Sequence, residues 1–348
     1  MRIFFVVCLS FTLIDFKAFA SEVPREIALG NSDFTSRTLG VACFGMETVV
    51  DGLPCNPAFT AKERRSRFQA QFFFGNNVSY VQDVSRLLDG NGDLSKAESL
   101  FNQRYSNEAE ANIQVSFLHE TWGLRYSPDR LVYYSLIRNS ALPVITLYAA
   151  QEQTLSGQIA SFTQDHLFWG LQLRAVDRKF LFSEFTLTDA LASQGSQYLE
   201  TKNQRALYVE PGFLWSFDEK PWQPQFGLTV KNAGLVDHKY DELSTNPDWH
   251  VAGSVRPPVG LGVFELGLDL HFNSYIAVAK DIPHLGLSYK VGVLQALASY
   301  ADQEYSLGFL LNYDGWNAGL TYWRRKFENF MGEREQLQTI YLELGFVF

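Results

Sequence analysis

The carboxyl-terminal stretch Gln336 to Phe348 alternates without interruption. Ile340, Leu342, Leu344 and Phe346 fall on one face, and Thr339, Tyr341, Glu343, Gly345 and Val347 on the other. A period of two is the signature of a β-strand. In a soluble sheet such an edge would expose an apolar row and unpaired backbone groups, which promotes aggregation; a closed barrel in lipid uses both features. The stretch is therefore expected to be the closing strand of a barrel, with Phe348, Phe346 and Leu344 acting as its membrane-insertion signal. An ordinary soluble sandwich strand is the competing reading, and the remaining segments decide between the two.

Arg67 to Phe74 reads as a first strand, and from Ile113 onward the chain is a procession of short alternating segments. Arg67 to Phe74 sets Phe68, Ala70, Phe72 and Phe74 against Arg67, Gln69 and Gln71. Ile113, Val115 and Phe117 oppose Gln114 and Ser116, and Trp122, Leu124 and Tyr126 oppose Gly123 and Arg125. Leu131 to Ile137 and Val144 to Ala150 are less cleanly patterned. In His166 to Ala175, Leu167, Trp169, Leu171 and Leu173 face away from Gly170, Gln172 and Arg174. Phe180 to Gln194 reads equally as strand or helix. The pattern sharpens through Leu207–Trp215, Phe226–Val230, Trp249–Val255, Phe264–Leu270, Leu285–Tyr289, Tyr305–Leu311 and Trp316–Tyr322. The polar faces are rich in glycine.

A soluble sheet with this many apolar faces would need a second layer, and no helices remain to supply one. Lipid supplies the cover. An aromatic content of 15% suits a barrel whose Phe, Tyr and Trp gather at two interfaces. Mean hydropathy is only -0.10, and no apolar run after the amino terminus is long enough for a spanning helix. The expected fold is an all-β transmembrane antiparallel β-barrel of about fourteen strands, within a range of roughly 12 to 16, over residues 67–348. Short turns at Pro257-Pro258, Asp281 to Pro283 and Asp314-Gly315 alternate with longer polar connections at Asp237–Asp248 and Arg324–Glu335, as two unlike rims require.

The amino terminus agrees with this destination. Arg2, an apolar core from Ile3 to Ile14 and the ending Ala18-Phe19-Ala20 read as a signal peptide over residues 1–20, cleaved before Ser21 and taking Cys8 with it. Export makes a disulfide between Cys43 and Cys55 chemically accessible, with two free thiols as the alternative. A metal site is not expected, because neither cysteine has a His near it. A helical insert is expected at about residues 79–106 from the spacing of Tyr80, Val81, Val84, Leu87 and Leu88, then Leu94, Ala97, Leu100 and Phe101. Asp89 to Ser95 opens like a calcium loop, but Leu94 stands where glycine is required and Leu100 where glutamate is; a helix-to-helix turn capped by Asp93 remains.

Residues 21–66 are broken by Pro24, Gly30, Gly40, Gly45, Gly52, Pro54 and Pro57 and should carry no long element. Within them stand Thr38-Leu39-Gly40-Val41-Ala42 and Asp51-Gly52-Leu53-Pro54-Cys55-Asn56-Pro57-Ala58. These stretches resemble the opening of FadL-type and related TraF-like and PorV-like outer-membrane barrels, with L-G-x-G-x-A, an acidic residue and then N-P-A-G. The chain departs from the pattern at Ala42 or Cys43 and at Phe59. Lys231-Asn232-Ala233-Gly234 adds a second point of likeness. The resemblance implies a hatch segment over residues 21–66 that turns at Asn56, Pro57 and Ala58 inside the barrel; an ordinary Asn-Pro turn is the plainer alternative.

The resemblance also implies one of two functions: passage of small, hydrophobic molecules across the outer membrane, or a non-transporting barrel that scaffolds a secretion, conjugation or other envelope assembly. Partners would be outer-membrane lipid, the barrel-assembly machinery, and either a hydrophobic ligand or an envelope protein. A formal charge of -9 argues against nucleic acid. Arg174, Gln172, Lys231, Glu265, Asp269, His271 and Glu343 are the lumen-lining candidates. No nucleophile, metal or cofactor motif accompanies them, so no enzyme and no cofactor is expected. Replacing Phe348 with Asp should block assembly, read as loss of heat-modifiable gel migration; normal insertion of that variant would contradict its role as an insertion signal.

Overall fold

The structure is a computed structural model, and it describes residues 33–47, 52–63, 66–75, 106–138, 144–164, 166–186, 200–237, 240, 243, 246–273, 279, 282–328 and 334–348. The signal peptide, the acidic turn at Asp89 to Ser95 and the helical insert expected up to Tyr105 lie outside these residues. Among the described residues fifteen strands form one antiparallel sheet: β1 (Arg67–Phe74), β2 (Ser106–His119), β3 (Trp122–Arg138), β4 (Val144–Gln164), β5 (Leu167–Thr186), β6 (Lys202–Ser216), β7 (Gln225–Lys231), β8 (Gly234–Val236), β9 (Asp248–Val255), β10 (Val263–Phe272), β11 (Pro283–Val291), β12 (Leu294–Tyr300), β13 (Glu304–Tyr313), β14 (Trp316–Glu328) and β15 (Arg334–Val347). β7 and β8 lie end to end against β6, so the wall has 14 staves. β15 pairs with β1 and β5 with β6, which closes the barrel.

The terminal strand sits at the seam. Phe348 and Phe68 exchange both backbone hydrogen bonds, at 3.0 and 2.8 Å. Ile340, Leu342 and Leu344 point outward and are exposed, while Thr339, Tyr341 and Glu343 are buried inside. The same phase holds around the wall, where Leu124, Leu173, Val209, Val251, Leu268 and Leu307 form an outward apolar band. Trp122, Phe162, Trp215, Trp222, Trp316 and Phe348 gather at the short-turn end. An apolar band with an aromatic girdle is what lipid selects.

Five sequence expectations need correction. β2 begins at Ser106, inside the range given to the insert, because its inward residues Glu108, Glu110 and Asn112 leave no apolar stripe to signal a strand. Leu131 to Ile137 is the upper half of β3, not a separate strand. A register shift between Ser127 and Arg130 moves the inward phase from odd to even residues, which blurred the alternation. β12 was not anticipated, because its inward face carries Leu297 and its outward face Ala296 and Ala298. Arg324 to Glu335 is largely strand, since β14 runs to Glu328 and β15 starts at Arg334. The ambiguous Phe180 segment is strand as far as Thr186. The short turn expected at Asp281 to Pro283 is not one, since β10 ends at Phe272 and Pro283 already opens β11.

The wall is uneven in height. β3, β4 and β5 have 17, 21 and 20 residues, while β9 to β12 have 8, 10, 9 and 7. At about 3.3 Å per residue, β4 runs for roughly 70 Å, far more than a band about 25 Å tall needs. The upper ends of these strands are buried on both faces: Val132, Tyr134, Tyr148 and Phe180 face inward, and Tyr133, Leu147 and Leu181 face outward. An Arg at Leu268, in the middle of the lipid band, should cost about 2–4 kcal/mol of unfolding free energy in bilayers. Reversible denaturant titration in liposomes measures it, and the cost should shrink for Arg at positions near the rim.

Candidate functional site

The inward faces hold three layers, stacked from the short-turn end toward the tall wall. The lowest is a plug made by the amino-terminal segment: a helix over Phe34–Leu39, a 3-10 turn over Gly40–Gly45, and a second 3-10 turn over Pro57–Lys62. Asp33 caps the helix by accepting from the Ser36 N–H at 2.8 Å. Asn56 caps the last turn, accepting from the Ala58 N–H at 3.0 Å, and its side-chain amide donates to the Phe213 carbonyl at 3.1 Å. Cys43 and Cys55 are joined by a disulfide, Cα to Cα 5.9 Å, which ties the two lobes together.

The plug fits because the wall is missing side chains where it passes. A Cβ on Gly212 would lie 2.1 Å from Asn56 Oδ1, one on Gly170 would lie 2.3 Å from the Pro57 carbonyl carbon, and one on Gly319 would lie 2.5 Å from the Phe34 ring. Gly267, Gly286 and Gly308 receive Met46, Ala42 and Thr38 in the same way. The glycines noted on the polar faces are thus the seat of the plug. Polar bonds complete it: the Phe34 N–H donates to Glu343 Oε2 at 3.0 Å, and the Thr38 and Thr321 hydroxyls are 2.6 Å apart.

At the short-turn rim, Glu47 and Lys62 join the two lobes at 2.6 Å, and Arg256 reaches Glu47 at 2.9 Å. Lys62 also meets Asp218 at 3.0 Å, and Gln225 donates to Glu47 at 3.0 Å. Burial pushes the Glu47 carboxyl upward, but the Arg256 guanidinium and the Lys62 ammonium outweigh it and hold the group below the usual carboxylate range.

A charged layer lies on the inward faces of β2 to β7. Glu110 accepts from Arg37 of the plug at 2.5 Å and from Arg130 at 3.0 Å. Glu152 accepts from Arg130 at 2.6 Å and also pairs with Arg178. Beside it, Glu210 collects Arg174 and Lys231 at 2.8 Å, Gln172 at 3.0 Å and the Asn232 backbone N–H at 3.2 Å. Asn232 has φ +57°, and its backbone N–H turns inward where β7 gives way to β8. Buried charges persist only when paired and hydrogen-bonded, which these are.

The other candidates fall on the same inward surface. Glu265 accepts from Ser254 at 2.9 Å and from the Glu47 N–H at 3.0 Å; Asp269 is 3.0 Å from His250 Nδ1. His271 stacks on His250 at 4.5 Å, and Phe44 of the plug stacks on the far side of His250 at 4.0 Å. Stacked rings do not converge their nitrogens, and no metal-binding group of His, Cys, Asp or Glu occurs among the described residues.

The third layer escaped the sequence reading. Phe73, Tyr134, Tyr148, Phe180, Trp323 and Tyr341 form an inward aromatic cluster with Val132 and Ala150, and Leu243 and Tyr240 from the β8–β9 connection pack onto it. The signal was present: Phe73 is in phase with Gln69 and Gln71, and Tyr341 with Glu343. An aromatic residue on a polar phase marks an apolar place in the lumen.

A closed antiparallel barrel with a lipid-facing apolar band, an aromatic girdle and a plugged, charged lumen is a transmembrane β-barrel of the outer-membrane type. No protein-family model matches the sequence, and no curated protein is similar to it by sequence. Among solved structures the chain is similar to the CymD monoaromatic hydrocarbon channel, with TM-score 0.53 and 9% identity over 91% of this chain and 98% of that one. It is also similar to the P. putida toluene transporter TodX, with TM-score 0.45 and 8% identity over 84% and 92%. The likeness to CymD is one of fold, a closed outer-membrane β-barrel, and the protein resides in the outer membrane.

The lowered Glu47 value fixes the sign of a pH dependence. Its ion pairs contribute stability fully present above the ordinary glutamate value of about 4.3, and lost as pH falls through the lower folded value. The thermal unfolding midpoint should therefore hold from neutral pH to about 4.3 and fall below it. Glu47→Gln should have a lower midpoint at neutral pH and a shallower fall, followed by circular dichroism in detergent.

Proposed function

We propose that the protein is a channel through which small hydrophobic molecules cross the outer membrane. The observation that carries this reading is the aromatic cluster around Phe73, Tyr148, Phe180 and Trp323, set inside the lumen beyond the plug at the tall end of the wall. A barrel that served only as a wall would fill this region with hydrogen-bonded polar pairs, as the charged layer beneath it does. Apolar side chains facing the lumen give a hydrophobic solute a place to leave water. The likeness in fold to a monoaromatic hydrocarbon channel supports the same class of solute.

The plug then acts as the gate. It is held by short polar contacts at both ends and by the Arg37–Glu110 pair, so a path to the periplasm requires it to shift. The same tight seating would suit a scaffold that never opens, and binding separates the two. Isothermal titration of the purified barrel with toluene should show saturable binding, and Phe180→Glu should weaken it at least about tenfold, a loss of one desolvated aromatic contact. No saturable binding, together with a stable envelope protein that copurifies, would favour the scaffold.

A further inference from the structure

The outward face of β14 climbs from Trp316 through Leu320 and Tyr322 and then carries two cations, Arg324 and Lys326. At about 3.3 Å per residue and a tilt of about 40°, the rise from Trp316 to Lys326 is about 25 Å, the height of an apolar band. The cations therefore stand where lipid tails give way to headgroups, at the rim opposite the short turns. Register sets Tyr305 of β13 beside Arg324, and Tyr300 of β12 beside Tyr305. Arg324 Nη1 donates to Tyr305 Oη at 2.8 Å, and its guanidinium carbon is 5.4 Å from the centre of that ring. The Tyr322 ring lies 6.2 Å from the ring of Tyr305, one step lower on the same surface.

Neither Arg324 nor Lys326 meets a carboxylate among the described residues. Arg205, outward on β6, does, with Asp177 at 3.4 Å. Cations without a counter-charge at a membrane border attract the anions of that border, which are headgroup phosphates. We propose that Arg324 and Lys326, with Tyr300, Tyr305 and Tyr322 around them, form a docking site on the outer wall for the phosphate of an outer-leaflet glycolipid. The guanidinium offers a planar fork to two phosphate oxygens, the ammonium adds a point charge, and the phenols supply further donors. The acyl chains of the same molecule run down the apolar face of β13 and β14. Because Tyr305 already fixes the Arg324 side chain, little freedom is lost when the phosphate arrives. The site lies outside the lumen, so it stands or falls independently of the channel reading.

The test titrates the full chain in detergent with diphosphoryl lipid A, and with the same lipid stripped of its phosphates, and reads bound lipid by native mass spectrometry. Arg324→Gln combined with Lys326→Gln should weaken binding of the phosphorylated lipid about fivefold to tenfold. Arg205→Gln, which removes an outward cation that is already paired, should stay within about twofold, and heat-modifiable migration verifies the folding of each variant. Equal losses in the two variants would reduce the effect to overall charge and overturn the site. Equally tight binding of the stripped lipid would show acyl contact alone, with the same consequence. Displacement of the lipid by inorganic phosphate would mark a free-anion site and overturn the lipid assignment.

Discussion

Lipid offers the backbone no hydrogen bonds, and the architecture follows from that. A sheet in such a solvent must pair its last strand with its first, which β15 and β1 do through the reciprocal bonds of Phe68 and Phe348. Once the wall is closed, the two-residue period forces every second side chain into lipid and its neighbour into the lumen. Tyr341 and Glu343 are inside because Leu342 and Leu344 must be outside. The lumen therefore inherits whatever the sequence places on one phase.

That inheritance explains how one surface carries three chemistries. Where the inward residue is glycine, the backbone of the plug can approach, and Asn56, Phe34 and Thr38 occupy space that a methyl group would have filled. Where it is charged, the barrel alternates Glu and Arg across neighbouring strands, as Glu110, Arg130, Glu152 and Arg178 do on β2 to β5, and Arg37 of the plug joins the row at Glu110. Where it is aromatic, it makes an apolar compartment inside a polar shaft. The order of layers follows height along the strands, and the extra length of β3 to β5 supplies the room for the last one.

Most of the wall was legible because β1, β6, β10 and β15 keep strict phase, so outward and inward faces separate on inspection. The unreadable parts each have a local cause. β3 hides behind its bulge at Ser127 to Arg130, β12 places Leu297 against the plug, and the start of β2 faces the lumen with Glu108, Glu110 and Asn112. Of the site, the inward placement of Arg174, Lys231, Glu265, Asp269, His271 and Glu343 follows from phase alone. Their partners do not, since Glu210 meets Arg174, Lys231 and Asn232 only through strand register.

By itself the sequence determined a chain of two-faced strands that only lipid could cover, an amino-terminal segment too broken to join them, and a terminal strand fit to close the ring. Those are properties of local period and composition, each readable within a dozen residues. Only the tertiary structure decided which lumen residues meet, that inward glycines from separate strands form one seat for the plug, and that Phe73, Tyr148, Phe180 and Trp323 share a compartment. Contacts across a closed barrel depend on register and height, which no single strand encodes.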